Sequence, residues 1–134
     1  YFPYIRPQEN GNKTEVRWVA ITNKEGAGLL FVGEGLLEAS AFHNRQNDFQ
    51  SEGRSDGGYY NGKRTPSRHT TDVVAADLTS VHIDYKQIGV GGDNSWGAWT
   101  HPEYRLTQRD YSYGYIIRPL SPNETPAVVY KKYK

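Results

Sequence analysis

The chain has 134 residues, enough for one domain around one hydrophobic core. Sixteen Lys+Arg against fifteen Asp+Glu leave a formal charge of +1, too little for a long-range field that would recruit nucleic acid or an acidic membrane surface. The absence of cysteine excludes disulfides, a thiolate nucleophile and a cysteine metal site, and no apolar run approaches the roughly 18 residues that a membrane span requires.

Eleven tyrosines, three tryptophans and fourteen glycines, with few long apolar runs, point to an all-β protein. The chain opens on Tyr1-Phe2-Pro3-Tyr4-Ile5, without Met and already strand-like, which reads as a cut-out piece or a processed chain. The lack of a visible signal peptide therefore says little about localisation. Residues 1–6 read as a first extended segment, with Pro3 and Pro7 keeping it at an edge or outside the ladder. Asn10-Gly11 marks a turn, since that pair tolerates positive φ.

Residues 14–22 (Thr-Glu-Val-Arg-Trp-Val-Ala-Ile-Thr) are rich in β-formers and predict a strand well inside a sheet. A turn at residues 23–26 leads into its hairpin partner, residues 28–33, and the alternation over 37–44 predicts another strand. Residues 45–67 are polar and glycine-rich around Tyr59 and Tyr60, a long loop that is disordered or lines a binding surface. Its cluster of Arg64 to Arg68, broken by Thr65, Pro66 and Ser67, reads as solvated loop. Val73-Val74-Ala75-Ala76 fits either a short helical turn or a strand.

Val81, Ile83 and Tyr85 share one face of a strand over residues 79–86. That strand feeds Ile88-Gly89-Val90-Gly91-Gly92-Asp93-Asn94-Ser95-Trp96-Gly97, the stretch around which the chain is organised. A phosphate cradle needs a glycine-rich turn that opens into a helix; here Trp96, Gly97, Trp99 and Pro102 follow, and no Gly-Lys-Ser/Thr. Two readings of the loop stay open from pattern alone. Either Trp96 and Trp99 are held at the surface as a platform for a flat ligand, or Trp96 fills the core.

Beyond the loop, residues 103–107 predict a short strand, and Tyr111, Tyr113, Tyr115 and Ile117 line one face of the last clear strand. Past Arg118, Pro119, Pro122 and Pro126 should end regular pairing and leave residues 127–134 as a tail or stray edge strand. Seven or so strands joined by short turns give the pattern of an antiparallel β-sandwich.

The candidate chemistry is sparse. Asp84, Asp93 and Glu103 lie near the loop, but nothing pairs them as the two carboxyl groups that a glycosidase sets roughly 5 to 9.5 Å apart. His43, His69, His82 and His101 share no metal-ligand spacing, and no Gly-x-Ser-x-Gly elbow is present. Asn12-Lys13-Thr14 and Asn123-Glu124-Thr125 match the glycosylation acceptor pattern, which recurs by chance.

Four segments in order carry a resemblance. Pro7-Gln8-Glu9-Asn10-Gly11, Thr14-Glu15-Val16-Arg17-Trp18, Ile83-Asp84-Tyr85 through Gly89 to Gly97, and His101-Pro102-Glu103-Tyr104 are similar to the C-terminal, small-chain type domain of bacterial β-galactosidases of the lactose-operon type. The likeness covers roughly residues 4 to 120, and Gly-Val-Gly-Gly-Asp-Asn-Ser-Trp is its most specific part. It implies the later half of a larger antiparallel supersandwich (residues 1–120), with residues 121–134 as a tail or linker.

It further implies that the catalytic glutamates lie on a separate (β/α)₈ barrel. No cofactor would then belong to this chain, magnesium and sodium being held at that barrel. The tryptophan after Asp-Asn-Ser, here Trp96, would lie against the bound sugar, with Asp93, Asn94 and Ser95 as loop supports and Trp99 and His101 as secondary candidates.

The expected partners are the remaining domains of the enzyme, a terminal β-galactoside as substrate, and further copies of the full enzyme in a homo-oligomer. Neither nucleic acid nor membrane is expected. The chain would not be catalytic alone. A stand-alone carbohydrate-binding module using Trp96, Trp99, Tyr59 and Tyr60, or a structural, subunit-interface domain, are the alternatives. Residues 45–67 look expanded and Trp99 looks like an extra aromatic relative to the family pattern. Half of a larger sandwich should also leave an apolar sheet face or an edge uncovered.

Overall fold

A computed structural model describes residues 11–45, 58–60, 63–65, 73–89, 91–94, 96–108 and 110–134. Six strands occur among them: β1 (Lys13–Thr22), β2 (Gly28–Phe42), β3 (Gly58–Tyr60), β4 (Lys63–Thr65), β5 (Ser80–Asp84) and β6 (Tyr115–Leu120). One short helix, α1 (Pro126–Tyr130), lies near the end of the chain. The fold is all-β, built on antiparallel sheet, in keeping with a sandwich-type domain. No helix among the described residues is long and apolar enough to cross a membrane.

β2 is the strand on which the rest assembles, because β1, β5 and β6 all pair with it in a four-stranded sheet. The β1–β2 turn is locally determined. Asn23 Oδ1 accepts the N–H of Glu25 (3.1 Å) and of Ala27 (2.9 Å), and Gly26 takes a φ of +89° that other L-residues rarely adopt. The two segments predicted separately at 28–33 and 37–44 are one 15-residue strand. Gly33-Glu34-Gly35 weakens a strand without ending it, and the Glu34 N–H stays bonded to Gly114 O at 3.0 Å.

Contacts divide the chain into two compact units. The unit made of residues 14–38 and 83–134 has its core in Leu30, Val32, Leu120 and Val129, with Trp18, Ala20 and Tyr130 packed against them. The β2–β6 register (Gly28↔Leu120, Leu30↔Arg118, Val32↔Ile116) puts Leu30, Val32 and Leu120 on one face. Pro119 does not stop the pairing expected to end at Arg118. It lies opposite Leu29 in β6, a strand whose only partner among the described residues is β2, and an edge tolerates the missing N–H.

The segment expected as a tail or stray strand contains α1, with Pro126 in its first turn. Val129 is 3% exposed and the Tyr130 ring stacks on Trp18 at 5.9 Å. The apolar side chains of α1 cover the end of the sheet core, which alternation read as a strand could not show.

In the other unit (residues 1–13 and 39–82), Ala39, Ser40, Phe42 and Asn44 are buried. Residues 73–78 are neither helix nor strand: Asn44 Nδ2 donates to Val74 O (2.8 Å), the Ala76 N–H to His43 O (2.7 Å) and His43 Nδ1 to Leu78 O (2.7 Å). Two side-chain bonds and one backbone bond replace the ladder a strand would have used. Phe42 stacks on His82 at 5.7 Å.

Part of the segment expected as loop is paired, with β3 and β4 antiparallel in the register Tyr59↔Arg64. The first extended segment, most of residues 45–57, and the side chains of Tyr59 and Tyr60 lie outside the described residues.

The predicted strand at 103–107 is instead a 3₁₀ turn over Pro102–Tyr104, closed by Tyr104 N–H to His101 O (3.0 Å) and Arg105 N–H to Pro102 O (3.1 Å). Proline at the first turn position presets φ for that geometry. The last strand starts at Tyr115, later than the tyrosine alternation suggested. Tyr111 and Tyr113 precede it and join an aromatic series, Tyr85–Tyr111 (5.8 Å), Tyr85–Tyr113 (6.0 Å), Tyr113–Tyr115 (6.1 Å) and Phe31–Tyr115 (6.2 Å).

Candidate functional site: an exposed tryptophan loop

The loop between β5 and the 3₁₀ turn is pinched at its neck and fixed from within. At the neck, the Gly89 N–H donates to Tyr104 O at 2.8 Å. Inside, the backbone at Gly92 approaches residues 98 and 99 so closely that a Cβ would run into the Ala98 carbonyl. Gly97 takes a φ of +96°, which reverses the chain directly after Trp96.

Asn94 organises the tip. Its Oδ1 accepts the N–H of Trp96 at 2.9 Å and, at a longer 3.4 Å, that of Ala98, so one side chain stands in for the carbonyl partners that a regular turn would supply. Asp93 Oδ1 lies 2.8 Å from His101 Nε2, tying the start of the loop to its end, while His101 Nδ1 is 3.9 Å from Glu103 Oε1. Two of the expected loop supports, Asp93 and Asn94, thus bond within the loop, and His101, expected as a secondary sugar contact, lies beside Asp93. Ser95, the third expected loop support, lies outside the described residues.

The indoles face solvent. Trp96 is 91% exposed and Trp99 72% exposed, so the reading in which Trp96 fills the core is overturned. The backbone around Trp96 is held by the Asn94 bond on one side and by the positive φ of Gly97 on the other. Trp99 has a partner that the sequence pattern missed. The Arg105 guanidinium lies over its ring at 5.8 Å, and Arg105 Nε donates to Thr100 O at 2.5 Å. Nothing periodic links residues 99 and 105; the 3₁₀ turn brings them together.

This arrangement offers a flat apolar surface rimmed by polar groups. Among the described residues, no group of three His, Asp or Glu side chains could hold a metal ion. A rigid, loop-fixed indole loses little conformational entropy on contact with another surface.

The family described as beta galactosidase small chain matches residues 1–117. The β-galactosidase of Priestia megaterium is 40% identical over 119 residues, covering 88% of this chain and 10% of that protein. That of Pseudoalteromonas haloplanktis is 34% identical over 117 residues (87% and 9%). That of Lactobacillus delbrueckii subsp. bulgaricus is 32% identical over 122 residues (90% and 10%). The chain thus spans about a tenth of the length of these relatives. With the match running from the first residue through the tryptophan loop and into β6, the chain belongs to the β-galactosidase small-chain family.

Proposed function

We propose that the chain is an accessory domain of a β-galactosidase acting on terminal β-galactosides, and that Trp96 completes a sugar-binding site whose catalytic groups lie on a separate barrel. The observation that carries the reading is the indole of Trp96, 91% exposed on a loop that Asn94 holds in shape. A pyranose presents a face of C–H groups that such a ring buries, while its hydroxyls keep hydrogen bonds at the rim. Its partners on this reading are the other domains of the enzyme and the galactoside, within a homo-oligomer of the full enzyme. Magnesium and sodium would be held by the barrel.

The test is steady-state kinetics of the full-length enzyme carrying Trp96→Ala. Burial of an aromatic face predicts a cost of ~1.5–3 kcal/mol. That is a ten- to hundredfold loss, falling mainly on KM if substrate and transition state stack alike. Trp96→Phe should recover part of it. Unchanged kcat and KM in Trp96→Ala would overturn the assignment.

A second reading rests on there being two exposed indoles, Trp96 and Trp99, as a stand-alone binding module would use. It requires the chain alone to bind galactose or lactose below the millimolar range. Binding absent at that level, together with no turnover of a chromogenic galactoside, favours the accessory role.

A further inference from the structure

A separate cleft of about 220 Å³ opens beside β5, lined among others by Tyr85, Lys86, Arg105, Gln108 and Tyr111. Trp96 is not part of its wall. The volume is below the ~300–1,000 Å³ of sites for drug-sized ligands, so it suits a ligand of one ring. Two cations line it, and no carboxylate does.

Neither cation has an acidic partner among the described residues. The Lys86 ammonium lies 5.7 Å from the centroid of the Tyr85 ring. Arg105 is held on its inner side by the bond from Nε to Thr100 O and by the Trp99 ring. Its terminal amino groups have no protein acceptor among the described residues. A guanidinium that is oriented but unsatisfied, beside an ammonium, is suited to an oxyanion, which takes charge-assisted hydrogen bonds from both. The Tyr85 and Tyr111 rings, 5.8 Å apart and tilted by 51°, add an aromatic wall, and Gln108 adds an amide that can donate and accept.

We infer that this cleft binds a monosaccharide-sized anion, a sugar ring carrying a carboxylate or phosphate group. The oxyanion lies between Lys86 and Arg105, the ring against the tyrosines, and a hydroxyl meets Gln108. The inference is independent of the sugar contact assigned to Trp96.

The test is calorimetry on the full-length protein with a non-hydrolysable thiogalactoside at saturation, so that the catalytic site is filled. The probes are galacturonate, galactose 6-phosphate, neutral galactose and inorganic phosphate. The expected result is a Kd below about 1 mM for at least one sugar anion, with neutral galactose and inorganic phosphate at least about tenfold weaker. Lys86→Gln, a change at an exposed side chain, should weaken the sugar anion about tenfold or more. Arg105→Lys should retain more binding than Arg105→Gln, while Trp96→Ala should change nothing. Absence of sugar-anion binding at about 10 mM, binding indifferent to Lys86→Gln, or inorganic phosphate binding as tightly as the sugar anions would each overturn the inference.

Discussion

At the scale of single residues, the loop depends on a few groups whose work is local. Asn94 Oδ1 takes two backbone N–H groups, the firmer of which belongs to Trp96 itself. Each such bond contributes about 0.5–1.5 kcal/mol net, so Asn94→Ala should release the tip and raise KM by part of the factor expected for Trp96→Ala. Asn94→Asp keeps the acceptor and should stay close to the parent enzyme. Equal KM values for parent and Asn94→Ala would show that Trp96 is positioned by something else. Gly97→Ala should act similarly, since a φ of +96° is strained for any residue with a Cβ, at roughly 1–3 kcal/mol.

These roles were legible in the sequence because Gly, Asn and Asp shape chain within a few residues of themselves. The partnership of Arg105 with Trp99 was not, since it depends on a 3₁₀ turn that Pro102 permits and that the apolar pattern reads as a strand.

At the scale of elements, the connection from β6 to α1 is the clearest case of structure that alternation misses. Three prolines argued for the end of order, yet Arg118 in β6 donates to both carboxylate oxygens of Glu124, from Nη1 at 2.9 Å and from Nη2 at 2.5 Å. The Ser121 N–H adds a third bond at 2.9 Å. Such a bidentate pair ties the turn before the helix to the strand, a contact over six residues that neither strand nor helix periodicity encodes.

The hydrogen bonds from Arg118, and then that from Ser121, hold the Glu124 carboxyl well below its usual range, at about 2. A depressed carboxylate stabilises the folded state above its unfolded pKa, and that contribution is lost as pH falls through the folded value. Denaturant unfolding of Glu124→Gln should therefore show lower stability near pH 7, with the difference from the parent shrinking between about pH 4.5 and pH 2. A gap that stays constant over that window would mean the pair is not the source.

The helix itself can be tested at Val129, 3% exposed against Leu30, Val32 and Leu120. Val129→Ala should cost about 1.5–3 kcal/mol by lost burial, read as a lower denaturant midpoint with unchanged m. The strands β1 and β5 were readable because β-branched and aromatic residues alternate there against turn residues. The unity of β2 was not, because two glycines look like a stop when a neighbouring chain at Gly114 in fact continues the hydrogen bonding.

At the scale of the whole molecule, the sheet carries a face that is partly open among the described residues. The β2–β6 register sets Leu29 opposite Pro119, Phe31 opposite Ile117 and Gly33 opposite Tyr115, so these side chains share the face opposite the core of Leu30, Val32 and Leu120. On it Leu29 is 41% exposed, Ile117 53% and Tyr115 37%, and Tyr113 continues the strip at 48%. Exposed apolar surface of this kind is suited to an interface, and the chain spans about a tenth of the length of its relatives. The 134-residue chain studied alone should consequently bind a hydrophobic dye and associate as its concentration rises, by sedimentation or light scattering. Ile117→Lys should suppress both, because a charge at the centre of the face is tolerated in water and not in contact with a second copy. In the full-length enzyme the same substitution should act in the opposite sense, lowering stability by ~1–3 kcal/mol through burial of an unpaired charge or loss of apolar contact. A monomer at high concentration without dye binding, or a full-length Ile117→Lys enzyme as stable as its parent, would show that this face is meant for water.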